Sequence, residues 1–533
     1  MTTPPNQSSN NRRGPAIPRR RALQATGLLA AAGIASHASA AHADSDIGKA
    51  DRPLVNSKVA DLFANFIGTC QAGSQIADVG KLAGMRWNRI DTGWNNLEPT
   101  EGEYNQSQWQ KLDAQITASL EAGVTPLPIL DYTAYWAGRK TSYSFVNGNK
   151  EYHYGAVKGE SGSSWIRSVK IVNRTTGDVI SDSDTKINKN FVPPADPAKW
   201  LGFVKKIVAR YRSAPYNLQY FQIWNEAYPG SGFWTGGMDE YMTSIHIPAA
   251  RAIQAAGGKA VYGGWPCGVS LNELVSLFDR HHAWPAVDVL DVHYDPLLAM
   301  DFLRKTSRNK RRGGLPVWQT ETGFVTDTNL IPNLYAKAFH WALAEGLAED
   351  PELAKLFWFA WSSPDDPSAY GYHCSLNNGT TRSDHGKTLA TMGNLLGGNR
   401  VTTFSHFRTT PRLSAQLDER ASGASGFRVG NRVVIAIHLA RQGQANIFWD
   451  FEGNQTAWHL SGFDPELKIE LPTVHRSAKL SRVDIFGNSV DLSWDPHSHQ
   501  ITVPVIEPNE TTRATAGAAE VRTFYIVADG VNG

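Results

Sequence analysis

Two segments of the chain end in a carboxyl group after an apolar, β-rich run: Gln222-Ile223-Trp224-Asn225-Glu226 and Val317-Trp318-Gln319-Thr320-Glu321. A glutamate next to such a run is costly if it is buried without a partner. Two of them suit paired-carboxyl chemistry. One group protonates a leaving oxygen while the other attacks the carbon that oxygen leaves, as in double displacement at a glycosidic carbon. Glu226 reads as the acid, its proton retained by desolvation and by the second carboxylate, and Glu321 as the nucleophile, which must stay ionised. Asn225 stands where it can hydrogen-bond a sugar 2-hydroxyl, an interaction that strengthens toward an oxocarbenium-like transition state. Tyr294 can donate a hydrogen bond to Glu321 and Arg89 can supply positive charge, both of which keep a nucleophile ionised. A structural ion pair is the competing account of either glutamate alone; it weakens when two share one site.

The elements that must position these groups repeat as strand, loop and helix from about residue 60 to 395. Strands are expected at Phe63–Thr69, Arg86–Asp91, Thr125–Asp131, Tyr220–Asn225, Ala260–Gly264, Val287–His293, Leu315–Thr320 and Lys355–Trp361. Helices are expected at Trp109–Ala122, with Leu112, Ile116 and Leu120 on one face, at Asp196–Tyr211, where a capping Asp precedes Pro197, and at Leu330–Ala348 and Thr388–Leu396. Eight such units predict an α/β fold, a (β/α)8 TIM barrel, whose strand C-termini surround one mouth. Glu226 then ends the fourth strand and Glu321 the seventh. A doubly wound open sheet is the alternative, but no Gly-rich phosphate loop follows the first strand. Residues 138–192, polar and rich in Gly, Ser, Asn and Thr, read as a β-hairpin insertion in the loop after the third strand, on the catalytic face. From 398 to 533 short alternating strands predict a β-sandwich domain, including Ala445–Phe451 and a tight turn at Phe486-Gly487-Asn488. It can bind polysaccharide or cap the barrel, and capping is favoured.

Composition narrows the function classes. The chain has 533 residues, 41% hydrophobic and 19% charged, and a net charge of +2, so it has no general pull toward nucleic acid or an anionic membrane. With 17 Trp, 17 Tyr and 21 Phe it is rich in flat faces that stack on sugar rings, although aromatic residues also simply fill cores. Trp94, Asp131, Tyr132, Trp136, Trp234, Trp265, Trp318 and Trp361 fall at or just after expected strand ends and are candidate sugar contacts. His293 can bond the substrate, against the competing account of a satisfied histidine at the barrel rim. The basic run from Arg304 to Arg312 reads as a solvated helix end and turn. The 3 cysteines contain no CxxC pair, so no zinc set is implied. At most one bridge can form, and Cys70 with Cys374 is the choice, because the strands before them should be barrel neighbours. No metal and no organic cofactor is implied. Residues 1–43 read as a twin-arginine-type export signal: Arg19-Arg20-Arg21, a mild apolar stretch from Ala25 to Ala35, then Ala41-His42-Ala43 as a cleavage site. The mature barrel domain is then 44–397, in a periplasmic or extracellular location, with no membrane span.

The residues now named resemble those of clan A retaining glycoside hydrolases, which carry catalytic glutamates on strands four and seven of a (β/α)8 barrel. Asn225-Glu226, Glu321, Arg89, Tyr294 after His293, and Trp361 match that pattern. Within the clan the chain is most similar to family 39 and its relatives. Met85-Arg86-Trp87-Asn88-Arg89-Ile90-Asp91, Trp94, Glu98-Pro99 and Gly102 follow that family's second-strand pattern, and Phe233-Trp234 follows Glu226 as it does there. Ala227 stands where the family commonly has proline. The resemblance covers residues 60 to 395. It implies an exported retaining glycoside hydrolase whose partner is a carbohydrate substrate, a polysaccharide or oligosaccharide. A silent carbohydrate-binding barrel and a transglycosylase are the alternatives. Nothing in the sequence sets an oligomeric state, the sugar or the linkage.

Overall fold

The computed structural model describes residues 61–531, apart from 77–78, 80–83, 231–232, 312, 324–329, 362–374, 379–380, 399, 420, 441–465, 496 and 505–520. The export signal and the strand expected at Ala445–Phe451 lie outside the described residues. Among the described residues no helix is long and apolar enough to cross a membrane.

Eight parallel strands form one sheet: β1 Ile67–Cys70, β2 Trp87–Asp91, β3 Thr125–Leu130, β9 Tyr220–Ile223, β10 Lys259–Val261, β11 Leu290–His293, β12 Val317–Gly323 and β13 Ala354–Phe359. Their order is β10-β9-β3-β2-β1-β13-β12-β11. Bridges Val261↔Val289 and Trp265↔Val292 join its two ends, so the sheet closes into the (β/α)8 barrel. The outer helices follow: α2 Gln106–Glu121, α3 Pro197–Arg212, α4 Ile247–Ala255, α5 Leu271–Arg280, α6 Leu297–Lys310, α7 Leu330–Glu345 and α8 Asp384–Leu396. Asp196 caps α3 through the Ala198 amide, with Pro197 in its first turn. The first strand is shorter than its apolar pattern predicts. The Asp61 side chain accepts from the Ala64 amide and starts a short helix, α1 Leu62–Phe66, so residues 62–66 turn before β1 begins.

Side chains that alternate into the barrel make layers. At the N-terminal end Trp87, Tyr220, Trp318 and Phe357 fill the pore with edge-on and tilted contacts, Trp87 and Trp318 having centroids 5.3 Å apart. Above them lies a buried polar layer of Arg89, Gln222, Asp291 and Thr320. The glutamates sit at the C-terminal mouth.

The insertion is larger than a hairpin. It is a five-stranded antiparallel sheet of β4 Tyr143–Asn147, β5 Lys150–Tyr154, β6 Gly159–Ser161, β7 Ser164–Asn173 and β8 Val179–Asn188, with β7 central. Its short polar strands carry weak alternation, which is why only the longest pair is legible in the sequence. Fully buried Arg167 clamps it by donating to the carbonyls of Arg139, Thr141 and Gly155. The sheet docks beside the mouth: the Tyr143 hydroxyl meets Thr235 Oγ1 at 2.9 Å, and Arg139 pairs with Glu240.

After a two-residue hairpin (β14 Asn377–Asn378, β15 Thr381–Arg382), the chain forms the β-sandwich. One sheet has six strands: β16 Val401–Thr403, β18 Gly423–Val429, β19 Arg432–Ala440, β21 Lys479–Val483, β22 Ser489–Leu492 and β24 Val521–Asp529. The other has three: β17 Arg408–Thr410, β20 Glu466–Glu470 and β23 Gln500–Pro504. One face of the large sheet packs on the small sheet. The other presents Phe427, Val434, Ala436, Val483, Tyr525 and Val527 to the same apolar cluster as the barrel helices, Phe427 stacking on Phe339 of α7. The face turned to the barrel is thus a cap.

The basic run differs from a solvated turn. Arg304 is buried and donates to the Leu315 carbonyl, Arg308 pairs with Glu345, and Lys310 with Asp279 at 2.8 Å. These residues fasten α6 to its neighbours. Cys70 is a free, buried thiol whose Sγ lies 3.2 Å from the Thr320 carbonyl, so the expected bridge is not made at this end. Cys374 lies outside the described residues.

Candidate active site

The buried polar layer fixes Arg89 first. All three guanidinium nitrogens have acceptors: Nε donates to Gln222 Oε1 at 2.6 Å, Nη1 to Glu321 Oε1 at 2.6 Å and Nη2 to Asn225 Oδ1 at 2.7 Å. Burial opposes its charge, but Glu321 overrides burial and raises the guanidinium above its ordinary value. Tyr294 donates its hydroxyl to the other Glu321 oxygen at 2.7 Å. Burial, then the charges of Glu321 and Glu226, keep that phenol protonated as a donor. Glu321 is therefore gripped at both oxygens, a setting that favours its ionised form. Asn225 spends its carbonyl oxygen on Arg89, which leaves its amide NH2 as the group that can donate to a ligand.

Glu226 is held differently. Its Oε1 meets His293 Nδ1 at 3.0 Å, while His293 Nε2 meets Thr320 Oγ1 at 2.9 Å and Asp291 Oδ2 at 3.3 Å. Thr320 in turn donates to Asp291 Oδ2 at 2.6 Å, and Gln222 Nε2 donates to the same oxygen at 2.6 Å. His293 has no exposed surface, and burial alone would lower its pKa. The charges of Glu321 and Asp291, with its hydrogen bonds to Asp291 and Glu226, push it up to about 10 instead. An oxygen of Glu226, one of Glu321 and a ring nitrogen of His293 lie within 4.8 Å of one another. Three such atoms can surround a cation, but both Glu321 oxygens already accept from Arg89 and Tyr294.

The backbone is bent to bring these groups together. Trp224 (φ 66°), Glu226 (φ 43°) and Tyr294 (φ 52°) are all left-handed, each at a cost of order 1–3 kcal/mol. The Glu226 amide is pinned to the Gly263 carbonyl at 2.7 Å and the Tyr294 amide to the Glu321 carbonyl at 3.0 Å. Gly264 passes so close to the His293 ring that a Cβ there would lie 2.2 Å from Nε2.

Other expected site residues fall elsewhere. Trp318 lies at the opposite end of the pore, its Nε1 on the Glu352 carbonyl, because it stands three residues before Glu321 on a strand that crosses the barrel. Trp94 is buried outside the barrel, stacked on Phe203 of α3 with Nε1 on Glu98. Trp234 is buried against Trp224, and Trp265 is buried with Nε1 on the Val269 carbonyl. Trp361 follows β13 and is buried, donating to Gln75 Oε1 at 2.7 Å. These indoles are buried and brace the strands. His293 is a satisfied rim histidine that holds Glu226 and has both ring nitrogens engaged within the protein. Trp136 is half-buried, with Nε1 on the Glu98 carbonyl. Tyr132 is half-buried within an aromatic group formed with Phe191 and Phe233, the latter stacked at 6.1 Å. Asp131 is buried at the end of β3 with Oδ1 unpartnered.

Sequence reasoning passed over Asp91, which ends β2 exposed at the mouth and accepts from the Gln71 side chain. Its signal was present, since it is the third inward position after Trp87 and Arg89. Gln222, Asp291 and Thr320 were also passed over, and only their contacts across the pore reveal them.

No protein-family model matches the chain, and no curated relative does. Solved structures do resemble it. One is a family 39 glycoside hydrolase from Bacteroides cellulosilyticus WH2, at 14% identity over 87% of this chain and 81% of that one, with a TM-score of 0.48. A GH30 endoxylanase from Clostridium papyrosolvens C71 is similar at 12% identity over 89% and 99%, with a TM-score of 0.49. A GH39 β-xylosidase from Caulobacter crescentus is similar at 14% identity over 90% and 98%, with a TM-score of 0.49.

Proposed function

We propose that the chain is a retaining glycoside hydrolase acting on a polysaccharide or oligosaccharide by double displacement. One observation carries the reading: Glu226 and Glu321 face each other with oxygens within 4.8 Å, in opposite hydrogen-bonding settings. An approach of one oxygen from each carboxyl to within 4.8 Å is compatible with the separation of about 5–5.5 Å between the carboxyl groups of retaining enzymes. Glu321, held ionised by Arg89 and Tyr294, attacks the anomeric carbon. Glu226, with Oε1 held by His293, delivers a proton from Oε2 to the leaving oxygen. In the second half Glu226, now a carboxylate, takes a proton from water, which attacks the anomeric carbon and frees Glu321. The Asn225 amide NH2 donates to the sugar 2-hydroxyl through both steps. No metal or organic cofactor enters this scheme. Export as a periplasmic or extracellular enzyme through residues 1–43 belongs to the same proposal, supported by the twin-arginine-like Arg19-Arg20-Arg21 and the Ala41-His42-Ala43 site.

The test is product analysis on a broad glycan panel with wild type and Glu321→Gln side by side. Wild type cleaves with retention, and Glu321→Gln loses turnover by roughly a thousandfold or more while remaining folded. Glu226→Ala keeps more activity on substrates with activated leaving groups and is partly rescued by azide. Full activity in Glu321→Gln would sink the assignment.

A further inference from the structure

Asp91 and Asp131 end adjacent strands at the mouth. On β2 the inward face carries Trp87, Arg89 and Asp91 in turn, so Asp91 stands one step above the guanidinium that grips Glu321. On β3 the inward face carries Leu127, and alternation brings Asp131 to that face just past Leu130. Asp91 pairs in register with Ile129, which makes the two carboxyls diagonal neighbours. Their electrostatics agree: burial, and then the Asp91 charge, push the Asp131 carboxyl well above the usual range.

Asp131 is 4% exposed; the Thr92 amide bonds to its carboxyl, but Oδ1 has no hydrogen-bond partner. A buried carboxyl oxygen without a donor is unfavourable, and a ligand that brings one removes the deficit. The donors of the cationic groups beside it are already engaged. Arg89 donates to Gln222, Glu321 and Asn225, and His293 is held between Glu226, Thr320 and Asp291. A sugar in this position therefore meets the carboxyls Asp91, Asp131, Glu226 and Glu321.

We infer that this pocket takes an uncharged glycone, held through neighbouring hydroxyls that donate to Asp91 and Asp131, and excludes uronic acids and other anionic sugars. A hydroxyl satisfies Oδ1 without adding charge. A sugar carboxylate offers Oδ1 no donor and adds negative charge beside Glu321, which Arg89 and Tyr294 favour in its ionised form. The inference rests on the glycosidase reading and specifies its substrate class.

The experiment compares neutral aryl glycosides of both anomers, hexosides and pentosides, with the matching aryl uronides at neutral pH. It uses wild type, Asp91→Asn and Asp131→Asn, with folding followed by circular dichroism. Wild type is expected to prefer the neutral glycone by roughly a hundredfold or more in kcat/KM. Each Asn variant is expected to lose roughly tenfold to a hundredfold on the neutral substrate and to discriminate less. Equal turnover of uronides by wild type would overturn the inference while leaving the glycosidase reading intact, as would Asn variants with unchanged activity and preference. If wild type cleaves neither class, the glycosidase reading is what fails. Calorimetric titration of the full chain with neutral and uronic-acid oligosaccharides then decides: binding of neutral ones alone supports the inference, and uronate binding of equal strength overturns it.

Discussion

At the residue scale, His293 is buried among carboxylates that raise its pKa against the effect of burial. Its pKa in the folded protein is about 10, above an unfolded value of about 6.5. The stability it contributes is therefore fully present below about pH 6.5 and is lost as pH rises through about 10. Nitrogen NMR should find both ring nitrogens protonated at neutral pH, and a neutral ring there would contradict the network drawn around it. Asp131 has the opposite sign. Its carboxyl is raised by burial, so ionising it in the folded state is unfavourable, and the penalty grows as pH climbs above the unfolded value of about 3.9. Asp131→Asn should thus raise the Tm at neutral pH, with the gain vanishing in acid. A variant that melts earlier at neutral pH would show that hydrogen bonding to Asp131, the Thr92 amide included, outweighs the cost of its burial. The same substitution is expected to impair turnover, so stability and activity part at this position.

At the scale of elements, the site depends on how closely β9, β10 and β11 approach one another. Gly264 has φ +75° and meets the His293 ring, so both its backbone and its missing side chain are required. Gly264→Ala should cost at least about 2 kcal/mol in denaturant unfolding, combining overpacking with left-handed strain. It should also displace His293 and with it Glu226. An unchanged midpoint would mean that this junction is looser than its geometry. Behind β9 the fully buried indoles of Trp200, Trp224 and Trp234 pack edge to face, with Trp224 to Trp234 at 5.2 Å. They convert a four-residue strand into a rigid support for the strained turn that carries Asn225 and Glu226.

At the scale of the molecule, the sandwich and barrel share one apolar cluster. Asn333 and Lys337 of α7 also donate to the carbonyls of Glu419, Asp418 and Ala421 on the sandwich side. Burial lowers Lys337 to about 8, and its ammonium persists beside those carbonyls and the charges of Glu419 and Asp418. Phe427→Ala should cost about 3–5 kcal/mol, because it opens a cavity against Phe339. The barrel and the sandwich should melt in one calorimetric transition, whereas two well-separated transitions would show that the cap is energetically independent.

The sequence by itself determined the alternation of eight strands with helices, the positions of Glu226 and Glu321 at strand ends, and the presence of Asn225, Arg89 and Tyr294 close to them. Those are local properties, carried by period-two and period-3.6 patterns and by the order of residues along a strand. Tertiary structure alone decided what each side chain touches. Trp318 and Glu321 are three residues apart, yet one fills the foot of the pore and the other stands at its mouth. Trp94, Trp234, Trp265 and Trp361 have the composition of a sugar platform and the contacts of a core. The role of His293 comes from Glu226, Asp291 and Thr320, which the chain supplies from beyond the end of β9, from β11 and from the middle of β12. The size of the insertion and the cap formed by the sandwich likewise depend on pairings between residues far apart in sequence. Periodicity says that a residue faces inward, but hydrogen bonding and burial by distant partners decide whether that residue supports the barrel or lines the mouth.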